Sequence, residues 1–350
     1  MSAVPLTPGV RAASVGGSAP PKSSLLKAGL IVAVIVIAGL FVPSFVKSTF
    51  YLGLMINAIV LAIAAVAIGF LGLQCGLMMF GAAAFTGGAT YLFGIAIMSF
   101  GWTVMGAALF CLVASTVLSG LIGAVIMRAR PLPFAMLTLA LAQMLQSMVK
   151  ITDFRPVTGG DDGLTMSWNS TFFGLSQAQL AKPDVFWPVA WLLLCGVMLV
   201  AWTIGHMRIG QVLRATTANE ERMRFSGFDT YWPRVLAFTV SGFIAAVSGL
   251  ITGLNSAFAS PELLDFVTGG NGLVATLVGG MGTVTGPVLG AILYTIGQDQ
   301  FGASGHLELF TGLGVVIVIV AFPQGAMGFI QNMYHRLRRL FTQGGGNAAR

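Results

Sequence analysis

The sequence predicts an all-α, polytopic helical membrane protein with about ten transmembrane helices and both termini cytoplasmic. Three observations carry this. Apolar residues make up 56% of the 350 residues, charged residues only 8%, and mean hydropathy is +0.88; a soluble domain of this size needs far more polar surface. Several apolar runs reach the ~20 residues that cross ~30 Å of hydrocarbon as a helix. Lys and Arg gather in alternate connections between those runs, as the positive-inside rule requires.

Residues 1–24 are rich in Pro, Ser, Gly and Ala without apolar periodicity, so they are expected to form a disordered cytoplasmic tail. The first apolar run begins near Leu25 and is longer than the core of a signal peptide. The expected spans are Leu25–Val46 outward, Phe50–Phe70 inward, Gly76–Met98 outward, Trp102–Met127 inward and Leu132–Met148 outward. A periplasmic loop over residues 149–184 follows, and Val185–Gly205 returns the chain to a charged cytoplasmic segment over residues 208–233. Arg234–Leu254 leaves again, two short Gly-rich segments (Asn271–Met281 and Val284–Gly297) go in and out, and Leu309–Phe329 closes a membrane domain of residues 25–330. The Gly-rich pair also reads as a re-entrant hairpin. Residues 331–350 form a basic cytoplasmic tail. On this topology fourteen of the eighteen Lys and Arg residues lie inside, and only Lys47, Lys150, Arg155 and Lys182 lie outside.

Several function classes fall away. The net charge of +7 is spread between spans and forms no groove-sized stripe, so nucleic acid is not an expected partner. Cys75, Cys111 and Cys195 are odd in number, lack a CxxC pair and read as packing residues. The acidic residues, including Glu262, Asp265 and Asp299, all fall in expected loops. Proton- or voltage-driven transport needs ionisable groups at membrane depth, and none is expected there. No phosphate-cradling G-x-x-x-x-G-K-[ST] loop and no G-x-S-x-G elbow exists, and the three His lack ligand spacing. The chain is expected to be no enzyme, with no cofactor and no metal; energy for active transport would come from a separate ATPase.

Four features remain. The stretch Arg208–Pro233 holds seven charged residues, and Val212, Leu213, Thr216, Thr217 and Glu220 share one helical face. Gly227 is placed to stop that helix. It reads as a short helix offered to a soluble partner, or as a solvated loop. Two Gly-rich blocks, Gly69–Gly88 and Gly279–Gly290, read as close helix packing or as interrupted helices lining a passage. The outer turn Thr158–Leu164 carries Asp161 and Asp162, either solvated or a docking surface for an outer protein. Asn57, Gln74, Thr138, Gln143 and Gln146 are polar groups in apolar spans, suited to interhelical hydrogen bonds or to lining a path.

Together these motifs resemble the LivM-type permease of branched-chain amino acid ABC importers over about residues 50–330. The resemblance rests on FAMLTLALAQM (Phe134–Met144), TGGDDGL (Thr158–Leu164), LRATTANEERMRFSG (Leu213–Gly227), LAFTVSGFIAAVSGL (Leu236–Leu250), ASPELLDFVTGGNGL (Ala259–Leu273) and LVGGMGTVTGPVLGA (Leu277–Ala291), in matching order. AFPQGAMG (Ala321–Gly328) is similar to the family's closing Pro-x-Gly turn.

The resemblance implies an inner-membrane permease subunit for branched-chain or other small hydrophobic amino acids. Its partners would be a second related permease, two ATP-binding subunits and a periplasmic solute-binding protein. Urea or short amides are alternative cargoes, and a stand-alone facilitator or secondary transporter is the rival class. The resemblance further implies ATPase coupling through Leu213, Arg214, Ala215, Asn219, Glu220 and Gly227. A translocation path would run beside Asn57, Gln74, Gly76, Gly81, Phe85, Thr138, Gln143, Gly280 and Gly282. The chain departs from the family pattern at Thr217, where a second Arg is usual, and at Met79, where a Ser is usual.

Overall fold

The computed structural model describes residues 36–46 and 48–302, together with 312, 325–328 and 333. The expected N-terminal tail, half of the first expected span, most of the last one and all of the basic tail but Met333 lie outside these residues. The principal helices are α1 (Thr49–Cys75), α2 (Ala82–Met98), α3 (Val104–Ile126), α4 (Pro131–Lys150), α5 (Pro183–His206), α6 (Arg208–Ala218), α7 (Glu220–Phe225), α8 (Tyr231–Ser256), α9 (Phe266–Gly279) and α10 (Gly286–Gly302). Among the described residues α1, α3, α4, α5 and α8 are long and apolar enough to cross a membrane, and α2 and α9 are shorter apolar helices. One two-stranded ribbon, β1 (Leu164–Thr165) paired antiparallel with β2 (Phe258–Ala259), interrupts the expected all-α pattern.

Local chemistry sets the ends. Gly76 ends α1 in the left-handed conformation at φ 65°. The Thr103 hydroxyl accepts from the Gly106 amide and caps α3. Pro131 and Pro183 open α4 and α5, where a missing amide hydrogen costs no helical bond.

The centre is α8 packed among α1, α2 and α3, and its contacts are made by backbone. A Cβ on Gly249 would lie 2.0 Å from the Thr86 carbonyl of α2, and one on Gly242 2.4 Å from Ser119 of α3. Ser241 and Ser248 donate to the Ala67 and Val60 carbonyls of α1, each at 2.8 Å, and Thr90 of α2 donates to Gly249 O at 2.8 Å. Small residues let the helices approach, and hydroxyls bond across the gap so formed.

Three expected spans are corrected. Gly76–Met98 is not one helix: residues 77–81 are non-helical, and α2 begins only at Ala82. Gly81 forces this, because its amide reaches Thr138 Oγ1 of α4 at 3.4 Å and a Cβ there would lie 1.7 Å from the Thr138 carbonyl. The Gly-rich pair runs Phe266–Gly279 and Gly286–Gly302 rather than Asn271–Met281 and Val284–Gly297. At 14 residues α9 is about 21 Å long, short of ~30 Å of hydrocarbon. The chain before it, with a 3-10 turn over Pro261–Leu264, packs onto the other helices: Gln146 of α4 donates to the Pro261 carbonyl, and the Leu263 carbonyl lies against Gly87 of α2.

The two Gly blocks pack on one another. A Cβ on Gly69 would lie 2.5 Å from the Pro287 ring, and one on Gly72 would lie 3.2 Å from Met281 Sδ. Gly279, Gly286 and Gly290 bring α9 and α10 into backbone contact, and Gly325 (φ 73°) closes on Gly280. The expected periplasmic loop has a core of its own, with Met166, Trp168, Phe172 and Leu180 buried and Trp168 edge-on to Phe93 at 6.0 Å.

Gly249→Val is expected to lower the thermal unfolding midpoint of the detergent-purified protein strongly, because Thr86 O is backbone and has no rotamer to yield. Gly88→Ala, where a Cβ meets nothing within 4 Å, is expected to leave it unchanged or slightly raised.

Candidate functional site

The charged stretch expected as one helix is two. Asn219 is extended (φ −161°, ψ 97°) between α6 and α7, and its side chain accepts from the Arg222 amide at 2.9 Å to cap α7. Gly227 follows α7 at φ 81°. Leu213 is 1% exposed and anchors α6 to the body, whereas Ala215 faces solvent and Phe225 is 92% exposed.

Three polar ties fasten the pair to three helices. The Arg214 guanidinium donates to the Gly205 carbonyl in the last turn of α5 at 2.6 Å. Thr217 donates to the Gln74 carbonyl in the last turn of α1 at 3.0 Å. Glu220 accepts from both terminal nitrogens of Arg234, in the first turn of α8, at 3.1 and 2.8 Å. Arg214 and Glu220, expected to offer charge to a partner, are therefore engaged within the chain. The Gln74 side chain is 1% exposed at this junction, and its carboxamide oxygen has no partner among the described residues.

The residues expected along a path fall in four places. Gly81, Thr138 and Phe85 meet where α4 crosses the start of α2; Phe85 is buried, edge-on at 5.4 Å to Phe238, which is edge-on at 5.9 Å to Phe134. Gln143 is half-buried on the same helix α4. The first turn of α9 joins this point, since a Cβ on Gly269 would lie 3.2 Å from Ala83 and 3.3 Å from the Phe80 carbonyl. The two breaks in the fold thus meet beside α4. Gly76 lies instead at the α6 junction, against the Thr217 methyl, and Gly280 and Gly282 lie in the α9–α10 turn, Gly280 buried and Gly282 exposed.

Asn57 stands apart, in a cavity of about 400 Å³ between α1, α9 and α10. Asn271, Tyr294, Gln298 and Asp299 line it too: Tyr294 donates to Asn271 Oδ1 at 2.8 Å and accepts from Gln298 Nε2 at 3.2 Å. Asp299, expected in an outer loop, lies on α10. Sequence reading missed this set because it joins two segments, although Tyr294 and Gln298 are spaced i, i+4.

The turn Thr158–Leu164 holds Asp162 on Arg155 at 2.7 Å and Asp161 on Lys150 at 3.8 Å, all four side chains well exposed. Gly163 packs it onto β2: a Cβ there would lie 2.6 Å from the Ala259 carbonyl. Among the described residues no group of His, Cys, Asp or Glu converges as a metal site.

A family profile described as branched-chain amino acid transport system / permease component matches residues 50–322. The chain belongs to this family. It is 24% identical over 228 residues to the high-affinity branched-chain amino acid transport system permease protein LivM of Escherichia coli, covering 59% of this chain and 53% of that one. It is 30% identical over 119 residues to the autoinducer 2 import system permease protein LsrC of Yersinia pseudotuberculosis, covering 31% and 32%. The chain thus spans about half the length of the first relative and a third of the second. No solved structure matches it significantly.

The two departures from the family pattern now have locations. Thr217 sits on the Gln74 carbonyl, where it ties α6 to α1 by a neutral hydroxyl. Met79 is fully buried in the non-helical segment before α2.

Asn219→Ala removes the cap of α7 and is expected to cost about 1 kcal/mol locally. Hydrogen exchange of the α7 amides is expected to quicken roughly fivefold, with that of α8 unchanged.

Proposed function

We propose that this chain is the membrane permease subunit of an ATP-driven importer, and that α6–α7 is the element through which a cytoplasmic ATPase moves the spans. The observation that carries this is the set of three ties, Arg214 to α5, Thr217 to α1 and Glu220 to α8. A displacement of one short rigid element reaches the ends of three helices at once, two of them at the packed centre. Exposed Ala215, Arg222 and Phe225 supply a surface for the ATPase. Arg214 and Glu220 then transmit the motion rather than grip the partner. Family membership and the basic bias of this side support the orientation.

The remaining partners are a second permease, a second ATP-binding subunit and an outer solute-binding protein, in a bacterial inner membrane. The α4 face carrying Leu132, Met136 and Met144 is exposed and apolar, which suits a second permease. The passage runs beside α4 where the breaks before α2 and α9 meet, since non-helical backbone at membrane depth is tolerated only within protein or along a cavity. Asp161 and Asp162 form the outer docking surface. The cargo is a branched-chain or other small hydrophobic amino acid, the class that the LivM relative is named for. A second cargo reading, a small polar solute, is favoured by the hydrogen-bonding cavity of Asn57, Asn271, Tyr294 and Gln298.

ATP-dependent leucine uptake by vesicles carrying the full assembly tests the proposal. Glu220→Arg is expected to abolish uptake, and the exchanged pair Glu220→Arg with Arg234→Glu is expected to recover a substantial part of it. Uptake that persists without the ATP-binding subunits would show a facilitator. Transport of another small solute in place of leucine would keep the machine and change the cargo.

A further inference from the structure

A second cavity, of about 470 Å³, opens between the end of α3, the outer side of α7 and the start of α8. Three arginines line it: Arg128 just past α3, Arg224 on α7 and Arg234 on α8. The two carboxylates present are already engaged. Glu220 holds Arg234 at 2.8 Å, and Asp229 accepts from the Tyr231 amide at 2.9 Å at the start of α8. Among the described residues Arg128 and Arg224 have no carboxylate partner. Arg128 is held in place by a ring: its guanidinium lies 5.6 Å from the Tyr231 centroid, and the Tyr231 hydroxyl donates to the Ala124 carbonyl of α3. Three guanidinium groups against two carboxylates, one of these ion-paired with Arg234, leave the concavity positive, which fits a phosphate group.

The surroundings select the kind of phosphate. Helices α3 and α8 run antiparallel in contact, with Tyr231 level with Ala124 and Thr239 level with Gly120. Val125 is 73% exposed and Trp232 59%, and one turn deeper Leu121 and Leu236 are exposed as well. Exposed apolar side chains are thus present on α3 and α8 next to the cavity, with Trp232 in the first turn of α8, as in membrane interfaces. A free phosphate has no use for such side chains, whereas a lipid places its chains against them.

We propose that this cavity binds the phosphate headgroup of an anionic phospholipid of the inner leaflet, with Arg128 and Arg224 as its ligands and the acyl chains along α3 and α8. Basic pockets between helices on the cytoplasmic side recognise such headgroups. The proposal rests on the orientation given above, with residues 208–233 inside, and not on the cargo. It sets a lipid against the same α7 that holds Glu220, so the inner leaflet braces the coupling element from behind.

Native mass spectrometry of the delipidated, detergent-purified full chain with phosphatidylglycerol or phosphatidylcholine tests it. Phosphatidylglycerol is expected to remain bound at activation energies that strip phosphatidylcholine. Arg128→Gln/Arg224→Gln is expected to cut that retention about tenfold or more, and Arg208→Gln, outside the cavity, is expected to keep it. Arg224→Gln alone is expected to give a partial loss; it changes an exposed side chain, so the fold survives even where the double variant does not. Trp232→Gln is expected to weaken the lipid too. Wild-type retention in the double and single Arg variants would overturn the proposal. So would displacement of the lipid by inorganic phosphate with Trp232→Gln having no effect, which would make this a free-phosphate site. Normal retention in the Arg variants with loss of ATPase assembly would assign the cavity to a protein partner instead, leaving the coupling reading intact.

Discussion

Hydroxyl-to-carbonyl bonds between closely approached backbones hold this molecule together, and the rest of the structure depends on them. Lipid tails are as apolar as the side chains of α8, so burying α8 is not driven as it would be in water. What joins α8 to α2 and α3 is contact that only small residues permit, at Gly249 and Gly242, while Ser241 and Ser248 bond to α1 and Thr90 of α2 bonds to the Gly249 carbonyl.

The same device explains the two breaks. Gly81 against Thr138 and the 3-10 turn Pro261–Leu264 against α2 and α4 place backbone outside the α-helices inside protein, where neighbouring helices supply its contacts. The breaks precede the two shorter apolar helices and meet at Gly269. A rigid centre beside a broken segment suits a machine that must move without coming apart. The α6–α7 element completes it by attaching to the helix ends rather than to the loops between them.

Polar groups around α6 and α7 are therefore shared among several contacts. Arg234 neutralises Glu220 and links α7 to α8, which leaves Arg128 and Arg224 facing the same concavity. The Thr158–Leu164 turn is simpler, with exposed ion pairs at Asp161 and Asp162 that salt screens.

The sequence by itself determined the class, the positions of most helices and the charged segment between α5 and α8, because hydropathy, turn residues and charge bias are local properties. Prolines at 131 and 183 and glycines at 76 and 227 mark boundaries on the same local grounds. Tertiary structure alone decided what those groups touch. Arg214 and Glu220 read as partner-facing charges until their acceptors and donors, nine and fourteen residues away across a turn, are in view. The Gly blocks read as matching halves until Gly69 is found against Pro287, and Asn57 acquires company from α9 and α10 only through folding. Periodicity reports which face of a helix is apolar; it carries no record of which other helix lies against that face, and that choice is made by shape at contacts of a few ångströms.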